Sequence, residues 1–371
     1  MVSTDRRTLL AALGSGGAAF SGCLDGRASS GLVGGDEEDN GRETAEAEGS
    51  GAQPPTADRA FPAAYGIDEL VAASRSGGPP PDGIPAIENP RFATATDPPG
   101  ALDEDDPVFG VEIDGETKAY PQSVLVYHEI VNDTVGGRPV SVTYCPLTGT
   151  AQGFYRGETT FGVSGQLINS NLVMFDRGTE SWWPQILAKG ITGPGEGRHL
   201  EEFQVVWTTW GRWRSTHPET VVLTEETGFA RNYGRDPYGG YNPPQGHYAD
   251  ESFLFGPLTQ DDRLHPKAVV IGMRSENGAV AVRKDTLREE RLRAFELGGV
   301  GHLAVYDDAL DTGYVYRVGD PDAPAPSWEN GRVAIDGTDH EPAELPYERE
   351  IAFDAMWFAW YGYYPMTELY E

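Results

Sequence analysis

The chain has 371 residues, with 28 Lys and Arg against 58 Asp and Glu, a formal net charge of −30. No basic stripe exists to displace counterions from phosphates, so nucleic acid is excluded as a partner. Only four of the basic residues are lysine (Lys118, Lys189, Lys267 and Lys284), and an acidic, lysine-poor surface that stays hydrated where salt screens charge over a few Å points to life in molar salt.

The N-terminus reads as an address label. Arg6 and Arg7 precede a weakly apolar stretch, Ala11 to Phe20, in the pattern of a twin-arginine export signal. That stretch is too short to span a bilayer. It ends in Phe20-Ser21-Gly22-Cys23, a lipoprotein box in which Cys23 receives lipid. The expected location is therefore the outer face of the cell membrane, with the lipid on Cys23 making the membrane a partner. Residues 24–60 are rich in Gly, Glu, Asp, Ser and Ala, a composition that cannot bury enough apolar surface to order itself, so a disordered acidic tether is expected there. With Cys23 lipidated, Cys145 is the one thiol left, and no intrachain disulfide can form.

From residue 61 onward the chain carries one pattern twice. Residues 107–125 match residues 269–287, with Gly110, Ala119 and Leu125 on Gly272, Ala281 and Leu287. Each block predicts a strand, a tight turn, a second strand and the start of a helix. Residues 135–156 then match 297–317, with Tyr144 and Thr150 on Tyr306 and Thr312. Last, Trp210, Trp213, Pro218 and Thr220 have the spacing of Trp357, Trp360, Pro365 and Thr367. Tryptophans three apart share a helical face, and the proline ends the helix. The expectation is a mainly β (α+β) body with short helices, built as two related β-rich lobes from a tandem duplication. The first lobe spans 61–223, a crossover rich in Gly, Pro and Tyr spans 224–267, and a second, degenerate lobe spans 268–371.

Features present in one copy alone are the candidates for function. Cys145 falls opposite Asp307, and residues 157–203 have little counterpart in the second copy. Polar side chains alternating with apolar ones in the first copy predict a strand-lined pocket for a small polar ligand, with Tyr144, Thr148, Ser164, Asn169, Asn171, Asp176, Ser181, Trp183 and Gln185 as its lining.

These same residues resemble a widespread prokaryotic family, the domain of unknown function 3179, over about residues 80–371. The resemblance rests on His128-Glu129-Ile130-Val131-Asn132-Asp133, on Tyr144-Cys145-Pro146-Leu147-Thr148-Gly149-Thr150-Ala151, on Ser164-Gly165, on the run Asp176, Ser181, Trp183, Gln185, and on His217-Pro218-Glu219-Thr220. It supplies an identity and no activity. Some relatives carry a second cysteine three residues after the first; Thr148 stands there in this chain, so a Cys-x-x-Cys pair is absent.

Three readings of Cys145 follow. It is a nucleophile activated by His128 or His217, with Gly149 and its neighbours offering backbone N–H groups. It is a metal ligand, with His128, Met174 or another histidine completing a soft set. Or it is a buried small apolar residue, in a module that binds a ligand or serves a structural role. An imidazole nitrogen within about 4 Å of the sulfur separates the first from the last. The sequence names no cofactor, and it leaves open whether the protein is an enzyme.

Overall fold

The computed structural model of the protein describes residues 51–100 and 102–371. Arg6, Arg7, Cys23 and residues 24–50 of the expected tether lie outside the described residues. The tether expectation reaches too far along the chain. Thr56–Ala57 pairs antiparallel with His199–Leu200, and Arg198 donates to Thr56 Oγ1 (2.5 Å) and to Gln53. The body supplies backbone partners to a segment too polar to form a core of its own.

Strand outweighs helix, 41% against 12%, so the body is mainly β. Strand β1 (Pro107–Ile113) and strand β2 (Glu116–Pro121) form a hairpin, followed by helix α1 (Gln122–His128). Strands β3 (Ile130–Val135), β4 (Arg138–Cys145) and β5 (Thr150–Tyr155) make an antiparallel meander. Its first turn is Gly136-Gly137, both at positive φ, the backbone that a two-residue type I′ hairpin turn demands. A second hairpin follows, β6 (Phe161–Ile168) and β7 (Asn171–Asp176). Then β8 (Val206–Thr209), α2 (Trp210–Thr216) and β9 (Val221–Leu223) return to the first hairpin. Strand β8 pairs antiparallel with β1, and β9 pairs parallel with β2.

The same connectivity recurs after the crossover. Strands β10 (Val269–Ser275) and β11 (Gly278–Arg283) lead into α3 (Lys284–Glu290), then into a meander of β12 (Leu292–Leu297), β13 (Val300–Asp307) and β14 (Thr312–Gly319). After a small three-stranded meander between residues 327 and 340, β15 (Ala352–Met356), α4 (Trp357–Tyr363) and β16 (Glu368–Tyr370) close the chain. Strand β15 pairs antiparallel with β10, and β16 pairs parallel with β11.

The matched residues in the two halves perform one packing job. A Cβ on Gly110 would sit 2.3 Å from the Trp213 ring, and one on Gly272 would sit 2.3 Å from the Trp360 ring. Each indole occupies the space where that Cβ is missing. Trp213 Nε1 donates to Thr220 Oγ1 and Trp360 Nε1 to Thr367 Oγ1, both at 2.9 Å. A buried indole N–H needs such a partner, which ties the helix to the strand that follows it.

The two halves share a core. One apolar cluster runs from Phe109 and Tyr144 in the first to Trp357, Trp360 and Tyr364 in the second. Buried Tyr233, Tyr238 and Tyr248 of the crossover join it. Met356 N donates to Thr148 O at 3.0 Å, and Tyr363 Oη to Ile168 O at 2.8 Å. Among the described residues no helix is long and apolar enough to cross a membrane.

Candidate functional site

Helix α1 ends at Glu129, whose left-handed backbone (φ 58°) turns the chain into β3. Strand β4 runs back alongside β3 and delivers Cys145 to the start of the Pro146–Gly149 turn, where Cys145 pairs with Thr150. The thiol is 1% exposed. Leu172 N donates to its sulfur at 3.4 Å, and the sulfur lies 3.8 Å from Ser170 O. Burial, and after it the neighbouring Glu129 carboxyl, push the thiol up to about 11. At neutral pH it is a thiol and a weak nucleophile.

The expected imidazole partner is engaged elsewhere. His128 Nδ1 lies 2.7 Å from Pro85 O, and Nε2 lies 2.7 Å from Tyr233 Oη. A carbonyl only accepts, so Nδ1 carries the proton and Nε2 accepts from the tyrosine. Burial pushes His128 down to about 4, so it is a neutral strut between the segment before β1 and the crossover. His217, the other expected partner, has its own surroundings. It packs on Trp213 with ring centroids 4.0 Å apart and lines a cleft between the two halves. Met174 is fully buried on β7. Among the described residues no group of three His, Cys, Asp or Glu side chains is placed to hold a metal ion, so the soft-ligand set expected around Cys145 and His128 does not assemble.

The polar side chains expected to line a pocket are core. None of the nine is more than 3% exposed. Thr150 donates to Gln185 Oε1 (2.7 Å), Asn171 to Thr148 Oγ1 (3.1 Å) and Gln185 Oε1 (2.9 Å), and Gln185 to Thr143 Oγ1 (2.8 Å). Ile186 N closes the set on Asn171 Oδ1 at 2.9 Å. Asp176 accepts from Trp183 Nε1 at 2.9 Å and from Thr179 N at 2.6 Å, and Thr179 shares a hydrogen with Ser181 at 2.8 Å. Ser164 donates to Val173 O, Asn169 to Ala359 O at 2.7 Å, and Tyr144 joins Gln122 and Tyr248. Such a satisfied network fixes strand register and leaves no free group for a ligand. Alternating polar and apolar residues, read as one wet face, are here two buried faces.

The crossover supplies groups that the sequence reading missed. Gln122 and Tyr248 both donate to Asp236 Oδ2 at 2.8 Å. His247 Nε2 donates to Leu147 O (2.9 Å), in the turn after Cys145, and Lys267 Nζ lies 3.2 Å from the His247 ring. Burial pushes Lys267 down to about 8, and burial together with the Lys267 charge pushes His247 down to about 4. Glu129 is 6% exposed and has no side-chain hydrogen bond among the described residues; burial alone pushes it up to about 8. The one sequence signal for Lys267 was the scarcity of lysine: three of the four (Lys118, Lys267, Lys284) are buried.

A cleft lies between the halves. Glu112, Trp213 and His217 from the first half and Asp307, Tyr314 and Arg349 from the second wall a cleft of about 830 Å³, within the range of small-molecule sites. Tyr314 is 2% exposed, and its hydroxyl has no hydrogen-bond partner among the described residues. The Arg349 guanidinium covers its ring at 5.5 Å. Asp307, the counterpart of Cys145, sits in this cleft and caps the next turn by accepting from Ala309 N (2.8 Å) and Leu310 N (3.1 Å). The family model described as "Protein of unknown function (DUF3179)" matches residues 81–367. No curated protein and no solved structure matches the chain.

Proposed function

The chain belongs to the DUF3179 family, and from that premise we propose that it is an exported, lipid-anchored binding module whose small polar ligand sits in the cleft between the halves. The observation that carries this reading is the cleft itself. It is roomy, it draws walls from both halves, and Tyr314 on its wall has a hydroxyl with no hydrogen-bond partner among the described residues. Carboxylates and Arg349 offer acceptors and donors around the Trp213 and Tyr314 rings, the mixture that suits a polyol or an amine. Export by Arg6 and Arg7, anchoring through Cys23 and an acidic surface suited to molar salt complete the proposal; the charge of −30 supports the last. The two halves are proposed to descend from a tandem duplication. Support comes from the repeated strand order and from the paired Gly-Trp-Thr sets.

The alternative, a thiol- or metal-dependent enzyme using Cys145 and His128, draws support only from the unpaired Glu129 beside the thiol. It needs an imidazole that the structure commits to Pro85 and Tyr233. The test is a thermal-shift screen of polyols, amines, betaines and amino acids in high salt. A compound that raises the melting temperature should lose its effect in Tyr314→Phe and His217→Ala. An effect that survives in both and disappears in Cys145→Ala would move the site back to the thiol.

A further inference from the structure

The cleft between the halves is more acidic than the chain that forms it. Over the whole chain Asp and Glu outnumber Lys and Arg about two to one, 58 against 28. Along the cleft walls six carboxylate residues stand against a single Lys or Arg, Arg349. Two of the six have partners: Asp308 pairs with Arg291, and Glu341 pairs with Arg332. That leaves four without an ion pair among the described residues, Glu112 and Asp114 from the first half and Asp307 and Glu344 from the second. Tyr314 lines the same cleft at 2% exposure, and its hydroxyl has no hydrogen-bond partner among the described residues, a state that a buried phenol rarely keeps. Glu112 from one wall and Asp307 from the other both act on Tyr314 and on His217. The two walls therefore bring negative charge to the same two side chains.

Building on the reading of this cleft as a ligand site, we infer that its ligand is an aliphatic polyamine, at minimum a diamine, with an ammonium group against the carboxylates of each wall and Tyr314 Oη accepting from one of them. Acceptors outnumber donors on the walls, so the ligand must bring donors: an ammonium group offers three, and a carboxylate or phosphate ligand offers none. Among the described residues no three His, Cys, Asp or Glu side chains are placed to share a metal ion. The negative charge is thus spread along the walls, which suits positive charges held apart on one chain better than one point charge. The walls also carry Val206, Leu310 and Ala343, apolar surface for a methylene stem. A polyol meets the acceptors but leaves the carboxylates without a counter-charge. Charge-assisted hydrogen bonds inside a cleft are screened by salt less than pairs on an open surface.

Isothermal titration calorimetry of the full chain in molar potassium chloride tests the class, with spermidine, putrescine, butylamine and erythritol as probes. Spermidine and putrescine should bind about tenfold tighter than butylamine, and erythritol should give no heat. Glu112→Gln and Glu344→Gln, one on each wall, should each weaken spermidine binding about fivefold. Glu251→Gln makes the same charge change on the crossover outside the cleft and should leave the affinity as in the wild type. Equal affinity for butylamine and putrescine overturns the inference, and so does an equal loss in all three variants, which would report the acidic surface at large. Erythritol binding that is lost in Tyr314→Phe, with no polyamine binding, also overturns it while the cleft reading stands. Silence from these probes and from the whole polyol, amine and betaine screen overturns the cleft reading and this inference with it.

Discussion

Cys145 and His128 stand one residue from a shared hydrogen-bonded row, yet they serve different neighbours. Sequence proximity to the β3–β4 pair made them a plausible dyad. What separates them is the left-handed turn at Glu129, which sends the imidazole toward Pro85 and Tyr233. A thiol held near 11 carries roughly a hundredfold less thiolate at neutral pH than one at its ordinary 9.0. Maleimide or disulfide labelling at pH 7 in the folded protein should therefore be at least about a hundredfold slower than in the denatured chain, and slower still through lack of access. Rapid labelling of the native state would return Cys145 to the reactive class. Glu129 gives a second prediction. Its folded pKa, about 8, lies above its ordinary 4.5. The native state keeps a proton that the unfolded chain releases, so stability is lost as pH rises through that window. His128, His199 and His247, all pushed down to about 4, work in the opposite sense below 6.5. Between pH 6.5 and 8 the Glu129 contribution stands clear of them and amounts to about 1.4 kcal/mol per pH unit. Denaturant melts should show wild-type stability falling by about 2 kcal/mol across that range relative to Glu129→Gln. Parallel pH profiles for the two proteins would rule the carboxyl out as a buried proton holder.

At the level of elements, the strand-turn-strand-helix blocks were legible because their signals are local: Gly-Gly turns, alternating apolar residues and helix-ending prolines act within a few residues. The repeated Gly, Trp and Thr were visible as matches, but their purpose was not. Gly110 lies 103 residues from Trp213 in the chain, and only the fold shows that the missing side chain makes room for the indole. Gly110→Ala and Gly272→Ala should each cost about 3 kcal/mol, since a methyl 2.3 Å from a buried aromatic ring forces the helix off the sheet. In a Trp213→Leu background the Gly110→Ala cost should fall below about 1 kcal/mol, and a double-mutant cycle in urea measures that coupling. Equal costs in both backgrounds would mean that strain in β1, and not the indole, sets the requirement for glycine. The polar alternation in β6 and β7 was the element-level signal that misled. A period of two reports opposite faces of a strand, and it does not say whether the polar face meets water or another buried network.

Across the whole molecule, the least legible part was the crossover. Residues 224–267 carry few long strands or helices, so periodicity is silent there, yet they bring Tyr233 to His128, Asp236 to Gln122 and His247 to Leu147. The two halves are likewise joined by contacts that no local pattern encodes. Gln204 Nε2 donates to Ala352 O at 2.8 Å, Asn169 Nδ2 to Ala359 O at 2.7 Å, and the turn after Cys145 accepts from Met356 N. Separating the halves would expose the shared apolar cluster and orphan these buried backbone groups, each of which costs free energy when left unpaired. Residues 51–371 should thus unfold in one cooperative transition, with tryptophan fluorescence and far-UV circular dichroism tracing the same curve in denaturant. A fragment of residues 268–371 should show no such transition when isolated. It contains the complete second strand set, so a cooperative melt from that fragment would show that each half is stable alone and that the shared core contributes orientation in place of stability. The distinction bears on the cleft: halves locked by one core hold its walls at a fixed distance, so the ligand proposed for it would meet a site already formed.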